Sequence, residues 1–395
     1  RHVPVLESIA EQPIVPEHVW AAVPDPTAFA NEEPVATGPF TRVTSFRNQV
    51  YEVERNPLYW QAGLPRVNTL RFRAYPANEQ TMLALLGDEL DWAGEFVPAI
   101  ERIYARRSPQ HRYWFPLIDT TVFLYANTAR KPLDDVRVRK ALSLAIDRDL
   151  VAKVAMHGWT RASDATGLSD AYARFRDDEA VKKGDWVAFD APRAARMLDE
   201  VGLVRGPDGW RRLPDGAPLN LTVQTPAGYS DWVAAAQIIA RGLRKIGVPA
   251  VVRTSDQQAW FEQLSSGDYT LSVGWSEASA TPYGFYHALM SSESVRPLGE
   301  SAPENWHRFG LPAADLLLRQ LEETTDPVEE HRLTARLQHL FVEHAPAIPL
   351  FPGPLWGEFN STRFTGFPDA SDPYAPLSPH VEPQSLLVLT RLAPR

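Results

Sequence analysis

The alternation of apolar and polar positions changes period several times along the chain. After Gly38-Pro39, Tyr51 and Val53 alternate with Glu52 and Glu54, the two-residue period of a half-buried strand. Asn56-Pro57 closes it, because proline cannot donate to a ladder and forces its predecessor out of helical space. A second strand is expected over 68–75, with Leu70 and Phe72 on one face and Arg71 and Arg73 on the other. Residues 78–87 set Met82, Leu83, Leu85 and Leu86 at helical spacing ahead of Gly87. The stretch 120–127 is almost continuously apolar, as befits a central strand covered on both faces.

From 134 to 158 the period is helical. Val138, Leu142, Ala145, Leu150 and Val154 form one stripe, Asp134 or Asp135 caps it and Gly158 ends it. A helix over 190–202 follows, capped by Asp190 with Pro192 in its first turn and Gly202 at its end. Then strand 219–225, helix 231–246, strand 248–254, helix 257–267 and strand 269–275 alternate, which implies a parallel, right-handed, doubly wound unit. A further helix spans 325–346, with Asp326 as cap, Pro327 in its first turn and Glu329 completing a capping box. Strand 347–351 is buried, and the tail from Pro352 reads as irregular, turn-rich and aromatic.

Composition narrows the function. With 49 acidic against 40 basic residues and no basic block interleaved with aromatics, nucleic acid is not the expected partner. No run approaches the roughly 18 apolar residues of a membrane span. The absence of cysteine removes disulfides and thiol nucleophiles. The 35 prolines, roughly 9% against an average of about 5%, are spread along the chain and imply many fixed turns. Twelve tryptophans are enough that some rings are expected to stack on a ligand.

The sequence carries no Gly-x-Ser-x-Gly elbow, no His-Glu-x-x-His and no phosphate-binding glycine loop. The acid pairs Asp134-Asp135 and Glu329-Glu330 sit at helix starts, where negative charge is favoured. His331, His339 and His344 share a helix at steps of eight and five, which do not stack ligands as steps of four would. Neither an enzyme nor a cofactor or metal is expected. Trp275 is the candidate that stands out. Ligands of open parallel sheets bind beyond the carboxyl ends of the strands. Trp275 ends one, and the following loop brings Glu277, Tyr283, Phe285 and Tyr286 to the same rim. An indole face beside a carboxylate suits a peptide ammonium or the apolar face of a sugar ring.

Several phrases carry a family likeness: TGPF (37–40), RNPLYW (55–60), GLPRVNTLRF (63–72) and, most specifically, KPLDDVRVRKALSLAIDR (131–148). ARMLDEVGL (195–203), VGW (273–275) and HAPAIPLF (344–351) follow in the same order. Together they resemble the family 5 extracytoplasmic solute-binding proteins of bacterial ABC importers, which include dipeptide-, oligopeptide-, nickel- and cello-oligosaccharide-binding proteins. The resemblance implies an α/β, two-lobed periplasmic-binding-protein-like fold (type II, cluster C). Lobe I would be partial over 1–125, lobe II would span 126–355, and 356–395 would return to lobe I. It implies that the family's N-terminal third is missing, cleaved or carried as a separate chain.

It further implies capture of a small ligand between the lobes and delivery to a membrane permease, by a periplasmic or cell-surface protein with or without a lipid anchor. Trp275, Glu277 and Tyr283 would face the cleft from lobe II, Asp119 and Thr120 would sit at the hinge rim, and Trp114 and Trp356 are further candidates. Peptide-binding members carry an aspartate soon after the Gly-Trp strand, whereas here Glu277 is the only acid before Phe285. The ending RFTGFPDASDPYAPLSPH (363–380) is similar to that of oligosaccharide-binding members. An oligosaccharide is therefore expected ahead of a peptide. The alternative is the ligand-sensing domain of a transcriptional regulator of the same fold.

Overall fold

A computed structural model describes residues 12–26, 28–279 and 281–395. The chain divides into two compact units, one comprising Leu117–Pro354, the other running up to Pro116 and resuming over Leu355–Arg395.

The smaller unit begins with an antiparallel sheet of β1 (Phe40–Arg47), β2 (Val50–Arg55) and β3 (Thr69–Arg73). Strand β1 was not anticipated. It pairs with β2 across a two-residue turn in which Asn48 and Gln49 both take positive φ, the twist that suits a tight hairpin. Asn56 joins the two proline turns noted in the sequence. Its amide donates to the Gly38 carbonyl at 2.9 Å, its backbone N–H donates to Pro39, and its side-chain oxygen accepts from Leu58. Helix α1 (Asn78–Leu86) buries Thr81, Ala84 and Leu85, so Leu83 faces solvent rather than joining the expected stripe.

The larger unit opens with β6 (Leu117–Ala126); β4 (Trp92–Ala93) and β5 (His111–Tyr113) precede it in the smaller one. The boundary expected at 125/126 falls inside β6. All ten of its residues belong to the larger unit, so the division lies at 116/117 and again at 354/355. Helix α2 (Val136–Leu144), capped by Asp135, stops well short of Gly158. Asp147 starts a fresh turn by accepting the Leu150 N–H, and the fully buried Ala145 and Ile146 sit in the break. Leu150 and Val154 consequently face outward, against expectation.

Helix α3 (Ala191–Glu200) is capped by Asp190. Then β7 (Leu221–Pro226), α4 (Ser230–Lys245), β8 (Ala250–Ser255), α5 (Gln257–Ser266) and β9 (Leu271–Trp275) alternate as expected. Helices α6 (Pro282–Met290), α7 (Pro312–Glu323) and α8 (Pro327–His344) lead to β10 (Ile348–Pro354). Asp326 caps α8, but there is no capping box: Glu329 is taken by Arg332, and the Asp326 N–H is met by the Thr324 hydroxyl.

The sheet order is β10-β6-β9-β7-β8. β7 is parallel to β8 and β9, as expected, while β6 runs antiparallel to both β9 and β10, so the sheet is mixed. Every residue of β6 from Thr121 to Ala126 is buried.

The tail is more regular than its sequence suggests. β11 (Glu358–Asn360) fits between β4 and β5, and β12 (Phe364–Thr365) pairs with β13 (Ala393–Pro394) after α9 (Ser385–Arg391). Phe359, Phe367, Leu377, Val388 and Leu392 form the core of the smaller unit, against which Phe40, Leu70 and Trp114 pack.

Candidate functional site

Because β6 runs against β9, its amino end lies where the parallel strands end. Val122 pairs with Trp275, which brings Asp119 and Thr120 to the edge from which the loop after β9 departs. The ladder continues one residue further: the Ser276 N–H donates to Thr121 O at 2.8 Å, and the Thr121 N–H donates to the Ser276 hydroxyl at 3.0 Å. Ser276 Oγ in turn donates to the Glu277 carbonyl at 3.1 Å. Burial pushes the Asp119 carboxyl above its ordinary range, opposed by the nearby backbone N–H groups of Asp119 itself and Ser279.

Trp275 is half-buried. Its ring lies 5.3 Å from Trp260, 5.6 Å from Trp232 and 6.3 Å from Trp306 between centroids. Those three are buried, with the Trp260 indole N–H on Ser272 Oγ and that of Trp306 on the Ala302 carbonyl. Trp232 and Trp260 are apolar positions of α4 and α5, the helices that pack on the strands beside β9. The backing was therefore present in the helical periodicity, but nothing in that periodicity said the rings converge. Tyr125 was also missed. Its hydroxyl donates to the Trp275 carbonyl at 2.8 Å, and Gly274 leaves room for its ring, since a Cβ there would lie 3.0 Å from it.

Glu277 is exposed, at the outer end of this wall. Thr120 sits beside Gly353 of β10, where a Cβ would come within 2.4 Å of its hydroxyl. Tyr283, on the first turn of α6, is half-buried and donates its hydroxyl to Glu322 of α7, which with burial raises its pKa. One turn on, His287 bonds Glu304 at 3.0 Å, and that partner raises its pKa against the opposing effect of burial. The larger unit thus brings together Trp275, Glu277, Asp119 and Thr120 at one sheet edge, and ties Tyr283 to a helix.

Trp114 and Trp356 belong to the smaller unit. Trp356 is half-buried, its ring 4.9 Å from Phe115 and 5.3 Å from Phe96. Trp114 packs on the unit's core and its N–H donates to Gly357 at 2.9 Å. Among the described residues, no three His, Cys, Asp or Glu side chains are grouped so as to hold a metal ion, and no helix is long and apolar enough to cross a membrane.

Residues 2–296 match the family described as bacterial extracellular solute-binding proteins, family 5 Middle. The chain is 27% identical over 343 residues to the glutathione-binding protein GsiB of Salmonella typhimurium and 26% identical to that of Escherichia coli strain K12. These alignments cover 85% of this chain and 62% of each relative, so the chain spans about three fifths of their length. Among solved structures, the mannohexaose-bound periplasmic oligopeptide-binding protein of Thermotoga maritima superposes with a TM-score of 0.91 at 23% identity, covering 100% of this chain and 76% of that one. The oligopeptide-binding protein AppA of Bacillus subtilis, in complex with a nonapeptide, gives 0.80 at 18% identity, covering 97% and 72%. Both share the fold of this chain.

Proposed function

Because the chain belongs to the bacterial extracellular solute-binding proteins of family 5, we propose that it is the ligand-binding part of the substrate-binding component of an ABC importer. In this reading it captures an oligosaccharide or a short peptide and hands it, chemically unchanged, to a membrane permease. It works outside the cytoplasm, in the periplasm or at the cell surface, where a lipid anchor would keep it near that permease. The observation that carries the reading is the half-buried indole of Trp275 at the carboxyl edge of the parallel strands, backed by Trp232, Trp260 and Trp306 and flanked by Glu277.

An oligosaccharide fits this wall first. A sugar ring offers an apolar face to the indole and hydroxyls to carboxylates such as Glu277 and Asp119. Trp114, Trp356 and Thr120 are proposed as further contacts, and Tyr283 as a contact through its ring edge. A short peptide fits second, with its ammonium group on Glu277. That one solved neighbour holds mannohexaose and another a nonapeptide supports both classes for the test.

The experiment is a thermal-shift titration against cello-, xylo- and manno-oligosaccharides, di- to tetrapeptides and glutathione. A bound ligand raises the melting temperature progressively with concentration, by mass action. No shift with any of these at millimolar concentration, from a folded sample, would contradict the reading.

A further inference from the structure

Past Ser276 the backbone ladder ends, yet the loop is not left to itself. Tyr172 lies on a 3-10 turn, Asp170–Phe175, remote in sequence from β9. It is 2% exposed, with its ring 6.1 Å from Phe285 on α6. Its hydroxyl donates to the Ser279 carbonyl and accepts the Ser279 N–H at 3.2 Å, so one side chain meets both backbone groups of one loop residue. Together with the Ser276–Thr121 pair, residues 276–279 are fastened at both ends, and Glu277 lies between the fastenings.

We propose that Tyr172 is a positioning residue for ligand binding: through Ser279 it holds the 276–279 loop in one conformation and so fixes where Glu277 is presented. The proposal rests on the binding function argued above. Its physical basis is preorganisation. A loop that is already ordered does not have to be ordered by the ligand, so the ordering cost is not subtracted from affinity. Tyr172 itself is buried and acts through Ser279.

The test is Tyr172→Phe, which keeps the ring against Phe285 and removes both bonds to Ser279. Ser279 is half-buried, so water can reach its two freed backbone groups and the fold is expected to survive. In the unliganded protein, amide hydrogen exchange in the peptide spanning 276–281 should quicken by about ten-fold or more while β6 and β9 stay protected. Affinity for whichever probe binds the wild type, mannohexaose or a short peptide, should fall about five- to twenty-fold.

The reading specific to positioning is a double-mutant cycle with Glu277→Gln. That change should cost the wild type several-fold in affinity and the Tyr172→Phe protein little, because Glu277 is no longer held in place. Equal costs in both backgrounds, or unchanged exchange in the loop, would overturn the proposal. A wild type that binds none of the probes would instead overturn the binding function, and the exchange measurement would still decide whether Tyr172 fastens the loop.

Discussion

The Tyr125 hydroxyl donates to the Trp275 carbonyl at 2.8 Å although the two residues are not paired across the strands; Tyr125 lies opposite Ser272, and Trp275 opposite Val122. The side chain reaches diagonally along the sheet, over Gly274, to the last residue of β9. It therefore fixes the backbone from which the candidate ligand wall departs. Tyr125→Phe should cost about 1–2 kcal/mol, the value of a buried hydrogen bond whose acceptor is left unmet. Gly274→Ala should cost about 1–3 kcal/mol by pushing a methyl against the Tyr125 ring. Urea unfolding measures both, and a Gly274→Ala protein as stable as the wild type would show that the ring yields freely.

Trp275→Ala removes an indole that packs on three others and also faces solvent. Affinity for the ligand found in the panel should drop ten-fold or more, since a stacked and buried ring is worth at least about 1.5 kcal/mol. Stability should fall as well, by about 2–4 kcal/mol, through the gap left against Trp232 and Trp260. Calorimetric titration of the folded variant separates the two effects. An unchanged dissociation constant removes Trp275 from the site.

In the smaller unit, Glu358 is fully buried in the middle strand of its sheet; one carboxyl oxygen accepts the Glu95 N–H at 3.3 Å and the other has no hydrogen-bond partner among the described residues. Burial, with the nearby Glu95 carboxylate adding to it, pushes the Glu358 pKa well above the usual carboxylate range. The folded protein thus keeps a proton that the unfolded chain loses above about pH 4.3. Folding stability from this group is complete below that pH and declines as pH rises, at up to about 1.4 kcal/mol per unit, until the folded-state pKa is reached. Glu358→Gln, a neutral amide of the same shape, removes the slope. Its stability relative to the wild type should increase in urea titrations as pH rises above about 4.3, until the folded-state pKa is passed; parallel curves would mean that Glu358 is ionised in the fold.

Arg148 is buried, with no carboxylate partner among the described residues. Its guanidinium donates to the carbonyls of Pro349, Ser143 and Val187 and to the Ser143 hydroxyl, joining the end of α2 to β10. Burial lowers its pKa to about 9, so it remains charged at neutral pH. Arg148→Met would withdraw a charged donor from the Pro349, Val187 and Ser143 carbonyls, of which Ser143 keeps the Ile146 N–H, and should cost about 3 kcal/mol or more. A loss below 1 kcal/mol in thermal unfolding would show that water takes over those carbonyls.

Arg148 also explains where the sequence could be read and where it could not. Counted as a polar position, it lets the 134–158 stripe continue as one helix. Its burial among carbonyls is a long-range fact that no local period encodes, and the helix ends before it. Arg139, in the same phrase, likewise donates to the carbonyls of His344 and Ala345 at the end of α8. Caps were legible because they are local: Asp135, Asp190 and Asp326 each accept an N–H two or three residues on. The alternation that gives β7, β8 and β9 was legible for the same reason. The antiparallel insertion of β6 was not, since an apolar run fits a central strand of either direction.

The site divides along the same line. Trp275 and Glu277 follow from the end of a predicted parallel strand, whereas Asp119 was a candidate only through the family resemblance. The converging tryptophans and the Tyr172 fastening come from segments far apart in sequence, and only the packed chain brings them together.

The most direct test is fluorine NMR of protein labelled with 5-fluorotryptophan, with the Trp275 signal assigned by Trp275→Phe. On titration with an oligosaccharide or peptide that raises the melting temperature, the Trp275 resonance should shift or broaden at the lowest ligand concentrations, with a dissociation constant equal to the calorimetric one. Saturation of binding with the Trp275 resonance unmoved would contradict the account.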